Sequence, residues 1–306
     1  MPAVTSEQIT FGHWLQAARL KFLPQGVMPV FLAAAVAFSG DTLQPANLVI
    51  ALLAAAALQV GLTMFNDTMD FIYGTDSKPT GIKNPFSGGS GVLTSGLIRP
   101  RQAFSAILAL YFFALLCTIY LSLEVNIVVF WIALIGALIT VFYSAKPFRF
   151  AYHGIGELMM FLGYGPVVTT WAYYIHSAQI TGEILLIGAV PGLLMWTMIL
   201  INEIPDYEED RAAGKKNIVY RLGPKNTKNL FIASLAAVYI YLAILLIAGV
   251  LPPLSALAFV GVPLAVVAAV AANRHYRDPI KIATANRSMV YIYSVTTAAA
   301  AIGFLV

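Results

Sequence analysis

One polar stretch organises this chain: NDTMDFIYGTD, Asn66 to Asp76, which follows a long apolar run. A second stretch, NEIPDYEED, Asn202 to Asp210, also follows a long apolar run. The first holds three and the second five of the 14 acidic residues. Because ionisable residues beside apolar spans are functional by default, the pairing predicts two matching clusters of metal ligands. The alternative is that both are solvated helix ends at the membrane surface.

The composition is that of a membrane protein. Hydrophobic residues make up 59% of the 306 residues, charged residues make up 10%, and the mean hydropathy is +0.80. A soluble domain carries about 25% charged residues, so that class is excluded. The single cysteine, Cys117, excludes a disulfide framework and a cysteine-rich metal site. We expect a lipid bilayer around the protein, no nucleic acid partner and no obligate protein partner.

Nine apolar runs are long enough to cross a membrane, which takes about 20 mostly apolar residues for each helix. They are roughly 22–39, 45–65, 102–122, 125–143, 154–174, 184–201, 229–251, 254–272 and 289–306. The predicted fold class is an all-α integral membrane protein with about nine transmembrane helices in one domain, 1–306. Because the acidic stretches follow the second and sixth runs, we expect two four-helix halves, about 1–150 and 151–272, and a ninth helix.

The basic residues predict the orientation. With nine spans, all 18 Lys and Arg fall at the same membrane face, and the loops at the opposite face carry Asp41, Glu124 and Glu183. Cytoplasmic loops carry the excess of Lys and Arg. We therefore expect a multi-pass protein of the cell (plasma) membrane. Its N-terminus and both acidic stretches would be cytoplasmic and its C-terminus would lie on the other side.

Each acidic stretch offers an oxygen-rich helix face, since residues three or four apart share a face. The residues with this spacing are Asn66, Asp67 and Asp70 in the first stretch and Asn202, Asp206 and Asp210 in the second. Mg²⁺ takes oxygen ligands, often one or two carboxylates with substrate phosphates. Lys83 follows the first stretch, and Arg211 and Lys215 follow the second. Carboxylates mixed with cations suit a metal-bound diphosphate, whose departure they would stabilise.

The apolar body predicts the rest of the substrate. Its runs are rich in Phe, Tyr, Leu and Ala, and they can enclose a groove for a hydrocarbon tail that carries a diphosphate head. The aromatic residues between 142 and 152 are typical of packing or of an interfacial belt. An aromatic face near the metals would also stabilise an allylic cation. We select Tyr143 and Lys146 for that position.

Short motifs run in order through most of the chain. They are AARLK (17–21), NDxxD with GTD (66–76), TSGL (94–97), YSxKP (143–147), GxGE (154–157), GYGP (163–166), DxxxDRxxGK (206–215) and RLG (221–223). Together they resemble the UbiA superfamily of intramembrane aromatic prenyltransferases, and most of all its 1,4-dihydroxy-2-naphthoate branch in menaquinone synthesis. The broader family often has Asp where this chain has Gly74 and Asn202. Both departures resemble the menaquinone branch and argue against 4-hydroxybenzoate as the acceptor.

The resemblance implies a fold and a site. It implies nine helices in a ring around a central cavity, an active site on the cytoplasmic side, and two Mg²⁺ ions. A prenyl diphosphate would ionise to an allylic cation, which an electron-rich aromatic acceptor would attack. The implied metal ligands are Asn66, Asp70, Asp206 and Asp210 with Asn202 nearby, and the diphosphate contacts are Arg19, Lys146, Arg211 and Lys215, to which we add Lys83. Asp67 or Asp76 would take the ring proton or orient the acceptor.

Some alternatives stay open at this point. A carrier of Mg²⁺ or of a phosphate compound would also use acidic ligands, but transporters bind ions near the bilayer midplane, whereas these stretches lie at its edge. The same chemistry would also serve another quinone precursor, a porphyrin or a glyceryl phosphate. The Gly-rich segment 84–91 is either a lid or only a loop. Glu157 either complements a helix N-terminus or binds acceptor hydroxyls.

Overall fold

The computed structural model describes residues 9–75 and 84–306, and every regular element in these ranges is helical. The α-helices are α1 Phe11–Ala18, α2 Leu23–Ser39, α3 Pro45–Tyr73, α4 Pro100–Glu124, α5 Val128–Ser144, α6 Gly156–Leu162, α7 Val168–Ser177, α8 Gly182–Glu203, α9 Tyr207–Ala212, α10 Ile218–Ile247, α11 Val262–His275 and α12 Ala283–Ile302. Short 3₁₀ segments lie at Leu20–Phe22, Phe150–Tyr152, Pro253–Gly261 and Gly303–Leu305. The all-α prediction is confirmed for the described residues.

The predicted spans correspond to these helices. Within the described ranges, seven helical segments are long and apolar enough to cross a membrane. The fourth predicted span is the shorter apolar helix α5, and the fifth is α6 and α7 together. The class of multi-pass integral membrane protein is therefore confirmed. Helix α3 is longer than its apolar run, which ends near Phe65: it extends to Tyr73, so Asn66, Asp67 and Asp70 lie in its last two turns, as their spacing predicted.

A break at Gly163–Val167 divides the fifth span into α6 and α7. Gly165 has non-helical dihedral angles, φ −108° and ψ −105°, and the next residue, Pro166, has no backbone donor. A Cβ at Gly165 would lie 2.6 Å from the Gly188 carbonyl oxygen and 2.6 Å from the Gly192 Cα of α8. Glycine is therefore required for the broken segment to pack directly on α8.

The helices close into a ring. From α2 onward each membrane helix packs on the next one along the chain, and α12 packs back on α2. Buried side chains such as Leu194, Phe231 and Tyr293 fill the largest core, between α8, α10 and α12. The ring predicted from the resemblance is confirmed. The division into two four-helix halves stays a prediction.

The end of α3 explains one departure from the family pattern. Gly74 follows α3 with φ 81°, and its N–H donates to the carbonyl oxygens of Asp70 and Phe71. Glycine adopts this left-handed conformation at no steric cost, whereas an aspartate here would be strained. The helix therefore stops directly after its acidic turns.

Candidate functional site

The first acidic stretch is held by partners at and after the end of α5. Ser144 donates its hydroxyl to Asn66 Oδ1 at 2.9 Å. Tyr152 donates its hydroxyl to Asp70 Oδ1 at 3.4 Å, and the Thr75 hydroxyl lies 3.0 Å from the same phenol oxygen. Burial and the Asp70 carboxylate raise the pKa of the Tyr152 hydroxyl, so it stays protonated and can donate. These contacts orient Asn66 and Asp70 towards α5.

In the second stretch, Asp210 on α9 belongs to a largely buried ion pair. Lys215 Nζ lies 3.3 Å from both carboxylate oxygens of Asp210, and Asn217 Nδ2 donates to Oδ2 at 2.9 Å. Asn217 is also the N-cap of α10, where its Oδ1 accepts the Tyr220 N–H at 2.8 Å. Asp210 is thus anchored to the first turn of α10.

Lys215 lies between the two acidic stretches. Burial acts to lower the pKa of its ammonium group, but the nearby carboxylates, foremost Asp210 and then Asp70, outweigh burial and hold that pKa well above its usual value. Asp70 belongs to α3 and Asp210 to α9, so one cation interacts with both stretches. The structure therefore brings together three of the predicted site residues, and their assigned roles stay predictions.

The Gly-rich loop 84–91 bridges the same two stretches. The Ser90 N–H donates to Asp67 Oδ1 at 3.0 Å, and the Ser90 hydroxyl donates to Asp67 Oδ2. The Gly88 N–H donates to Asp206 Oδ2 at 3.2 Å. Three of the loop's glycines have positive φ, which allows these amides to turn towards the carboxylates. Asp67, which we predicted as a proton acceptor, is thus a binding site for the loop as well.

Two buried glutamates and a tyrosine lie beside these residues. Glu157 on α6 is fully buried, and Glu203 at the end of α8 is 7% exposed. The two carboxyl groups interact with each other, and both interact with Tyr143, which is also within electrostatic reach of Lys215. Oε2 of each glutamate is buried, and a proton on one of the two carboxyl groups would join them through a hydrogen bond. This cluster forms an interior wall of the site that is rich in hydrogen-bond acceptor oxygens.

Glu157 lies in the first turn of α6 and also complements the N-terminus of a second helix, α10. Its Oε1 accepts the N–H of Ile218, the first residue of α10, at 2.6 Å. Glu203 was missed by sequence reasoning, because in this stretch we selected the series spaced by four residues, Asn202, Asp206 and Asp210, and Glu203 lies outside that series. The signal that would have found it is its place at the end of a membrane helix, where an acidic side chain is costly.

Arg149 was also missed. Its guanidinium carbon lies 4.0 Å from the ring centroid of Tyr73 and 3.5 Å from that of Tyr152, so the cation is stacked between two aromatic rings. Its Nε is buried without a hydrogen-bond partner among the described residues. Because Tyr152 also contacts Asp70, Arg149 is a cation next to the first acidic stretch. Its sequence signal is its position three residues after Lys146.

Five other predicted site residues are half-buried, exposed or outside the described part of the chain. Arg19 is half-buried just after α1, where its guanidinium stacks on an aromatic ring. Lys146 and Arg211 are exposed. Asp76 and Lys83 lie outside the described residues. The assignment of all five to the site stays a prediction.

An apolar cavity adjoins the acidic site. It has a volume of about 250 Å³ and lies between α3, α4, α5 and the α6–α7 segment. Its lining is mostly aliphatic and aromatic, and it includes Tyr143 as well as Gln59 and Tyr164, whose side chains are hydrogen-bonded at 2.7 Å. Because Tyr143 also interacts with Lys215 and Asp70, the cavity and the charged site meet at this side chain.

The donor set fits Mg²⁺ that is shared with a substrate. Among the residues that the structure describes, no three His, Cys, Asp or Glu side chains lie close enough together to hold a metal ion alone. Mg²⁺ keeps several waters and needs only one or two carboxylates beside phosphate oxygens. Asp70 and Asp206, with the amide oxygens of Asn66 and Asn202, offer such pairs. The residues present therefore suit ions that bind together with a diphosphate.

The chain matches known proteins over most of its length. A model of the UbiA prenyltransferase family matches residues 27–295. The chain is 30% identical over 210 residues to the 1,4-dihydroxy-2-naphthoate octaprenyltransferase of Bacillus subtilis. The aligned region covers 67% of this chain and 64% of that protein, which is just under two thirds of its length. It is 26% identical over 263 residues to the enzyme of the same name from Mycobacterium tuberculosis, covering 85% of this chain and 86% of that protein.

A solved structure has the same fold. It is a UbiA homolog from Archaeoglobus fulgidus bound to GPP and Mg²⁺, with a TM-score of 0.62 and 19% identity. The superposition covers 94% of this chain and 98% of that one. At this identity the likeness concerns the arrangement of the helices.

Proposed function

Because the chain belongs to the UbiA prenyltransferase family and is a prenyltransferase, we propose that it transfers an isoprenyl group from a prenyl diphosphate to 1,4-dihydroxy-2-naphthoate. The reaction would depend on Mg²⁺ and serve lipoquinone biosynthesis. The names of the relatives from B. subtilis and M. tuberculosis support this acceptor. The homolog bound to GPP and Mg²⁺ supports the donor class and the ion.

The observation that carries the proposal is the place of Tyr143 between two unlike compartments. On one side it lines the apolar cavity. On the other it is within reach of Lys215, Glu203 and Asp70. A prenyl tail in the cavity would place its diphosphate among the charged residues and its first carbons beside the tyrosine. A carrier of free Mg²⁺ has no use for such a cavity.

The residues have distinct roles in the proposed reaction. The proposed metal ligands are Asn66, Asp70, Asn202, Asp206 and Asp210. Two Mg²⁺ ions held by them with the diphosphate would supply charge neutralisation while the carbon–oxygen bond breaks. Lys215 and Arg149 would contact the diphosphate oxygens, and Arg19, Lys83, Lys146 and Arg211 are the further proposed diphosphate contacts. The Tyr143 ring would stabilise the allylic cation through its π face.

The acceptor would bind at the interior wall. Glu157 and Glu203 have buried carboxyl oxygens that interact with each other, and the acceptor class carries hydroxyl donors that would bind to them. A ring carbon of the aromatic acceptor would form a carbon–carbon bond to the allylic carbon and then lose the proton bound to it. Asp67 or Asp76 would accept that proton or orient the ring.

We further propose that this site faces the cytoplasm of a cell whose plasma membrane contains the protein. Under the nine-span arrangement all 18 Lys and Arg lie at the membrane face that carries the acidic stretches, which supports this orientation. The C-terminus would lie at the opposite face.

The test is prenyl transfer by the purified protein in detergent or vesicles. Radiolabelled prenyl diphosphates of several lengths would be supplied with 1,4-dihydroxy-2-naphthoate or with 4-hydroxybenzoate, with Mg²⁺ or with EDTA. We expect labelled product with the naphthoate and Mg²⁺ only. Product with 4-hydroxybenzoate instead would overturn the proposal that the acceptor is 1,4-dihydroxy-2-naphthoate. Uptake of Mg²⁺ into vesicles without any prenylation would overturn the proposed prenyl-transfer reaction in favour of a carrier.

A further inference from the structure

A chain of three asparagines connects the last membrane helix to the second acidic stretch. Asn286 on α12 is fully buried. Its Nδ2 donates to the Ile201 carbonyl oxygen at 2.9 Å and to Asn202 Oδ1 at 2.8 Å. Its Oδ1 accepts from Asn84 Nδ2 at 3.0 Å. All three residues are far apart in sequence, so the fold alone brings them together.

The direction of these hydrogen bonds is fixed by chemistry. A backbone carbonyl oxygen can only accept, so the Asn286 atom that faces Ile201 must be the amide nitrogen. The same nitrogen faces Asn202, so the Asn202 atom that faces it must be the oxygen. The Asn202 amide therefore cannot flip without leaving the Asn286 donor buried and unsatisfied, which costs about 1–3 kcal/mol.

The same asparagines hold the Gly-rich loop. Asn84 is the first residue of that loop, is 3% exposed, and also donates to the Pro279 carbonyl oxygen at 3.0 Å. Its Oδ1 accepts the Phe86 N–H at 2.9 Å. Two residues further on, the Gly88 N–H contacts Asp206. The loop is thus attached to the second acidic stretch both directly and through Asn286.

We propose that Asn286 is a positioning residue for the metal–diphosphate site: it sets the orientation of the Asn202 side-chain oxygen and couples it to the Gly-rich loop. This inference rests on the proposed function, in which Asn202 is a metal ligand. An oxygen that accepts one hydrogen bond keeps a second lone pair for a cation. Partners behind metal ligands fix the geometry of those ligands, and their loss lowers metal affinity about 10- to 100-fold.

A structural role of Asn286 alone would lead to a different result. Ile201 lies in the last turn of α8, whose carbonyl groups have no partner within the helix, so Asn286 also caps α8. Loss of a cap lowers stability but leaves metal affinity unchanged in the folded protein. Metal affinity therefore separates the two roles.

The experiment measures Mn²⁺ binding in the presence of inorganic pyrophosphate, by electron paramagnetic resonance, on the full-length protein in detergent. We expect Asn286→Ala to weaken Mn²⁺ binding at least tenfold and to raise the Mg²⁺ concentration for half-maximal turnover to a similar extent. Ser288→Ala is the matched control, since Ser288 is a buried polar residue of the same helix whose hydroxyl donates within that helix, to the Thr284 carbonyl oxygen. It should change neither quantity more than twofold.

A double variant tests the connection. Asn202→Ala with Asn286→Ala should bind Mn²⁺ no more weakly than Asn202→Ala alone, because Asn286 acts through Asn202. Wild-type Mn²⁺ affinity in folded Asn286→Ala, or losses that multiply in the double variant, would overturn the inference. Should Asn286→Ala fail to fold, Asn84→Ala removes the outer end of the chain, and unchanged Mn²⁺ affinity in it would overturn the inference equally. Failure of the wild type to bind Mn²⁺ or to turn over would instead overturn the proposed function.

Discussion

The backbone N–H of Gly88 lies 3.2 Å from Asp206 Oδ2, which ties the Gly-rich loop to the second acidic stretch. Two residues later, Ser90 binds Asp67 of the first stretch with both its N–H and its hydroxyl. A loop of eight residues, 84–91, therefore contacts carboxylates that are more than a hundred residues apart in sequence. Such a loop holds the two acidic helix ends at a fixed distance.

Ser90→Ala should loosen this arrangement. It removes a hydrogen bond to a carboxylate, worth about 1.5–3 kcal/mol, but leaves the backbone contact intact. We expect a roughly tenfold fall in kcat/KM for the prenyl diphosphate, measured by radiolabel transfer. The control is Ser95→Ala, because Ser95 is exposed and its hydroxyl donates to a backbone oxygen, the Gly91 carbonyl, and not to a carboxylate. Equal activity of the two variants would mean that the Asp67 contact has no part in turnover.

Lys215→Met should abolish turnover. The change removes the cation that lies between Asp70 and Asp210 and that pairs with the buried Asp210 carboxylate. Breaking a buried pair in this way costs about 3–5 kcal/mol. Lys215→Arg keeps the charge and should retain measurable activity, which would distinguish loss of charge from loss of fold.

The neighbouring Lys216→Met is the control for that change, since the Lys216 side chain is exposed. We expect it to keep turnover within about twofold of the wild type, as is usual for exposed substitutions away from a site. If Lys215→Met turned over as fast as Lys216→Met, the cation between the stretches would have no role in binding diphosphate.

Asp70→Asn and Asp206→Asn should each abolish turnover and leave the fold intact. Each keeps the size of the side chain and removes a negative charge to which the proposed Mg²⁺ ions would bind. The measurement is prenyl transfer over a range of Mg²⁺ concentrations, with thermal unfolding in detergent as the check on folding. Asp278→Asn is the control, since Asp278 pairs with Lys281 at 3.3 Å on the exposed surface. Wild-type rates in either site variant would remove the two-metal proposal.

The sequence predicted the all-α membrane fold because hydropathy reports membrane spans directly. Nine apolar runs have helices in the positions expected, since a backbone in lipid must satisfy its hydrogen bonds within each segment. The spacing of Asn66, Asp67 and Asp70 predicted that they share a helix face, and α3 extends through them. Hydropathy alone would have ended this helix near Phe65, because polar side chains lower the hydropathy while the helical hydrogen bonds continue. The break at Gly165 was equally hidden, since Gly and Pro are tolerated within buried helices.

Local spacing was enough to select Asp70 and Asp210, which the structure brings together around Lys215, and their roles stay predictions. The site was not predictable where the contact is made across the ring. Glu203 was overlooked because its importance comes from facing Glu157 on another helix. Asn286 carries no sequence signal at all, since a single asparagine near a helix start is common. Tertiary proximity gives both residues their place beside the site.

Ala133→Phe should reduce the length of the longest prenyl diphosphate that the enzyme accepts. Ala133 on α5 lines the apolar cavity, and an aromatic ring there would occupy space that the prenyl tail requires. We expect KM to rise more than tenfold for the longest donor and to change little for the shortest. The control is Ala109→Phe on the exposed face of α4. The same KM ratio between long and short donors in both variants would show that the tail lies elsewhere.

Glu157→Ala should destabilise the protein, whereas Glu157→Gln should not. Glu157 Oε1 accepts the Ile218 N–H at 2.6 Å in a fully buried position. Alanine leaves that donor buried and unsatisfied at a cost of about 1–3 kcal/mol, while glutamine keeps an oxygen that can accept it. Thermal unfolding in detergent measures the difference. If Glu157 also binds an acceptor hydroxyl, Glu157→Gln should raise the KM of the acceptor at unchanged thermal stability. A wild-type acceptor KM in that variant would restrict Glu157 to the start of α10.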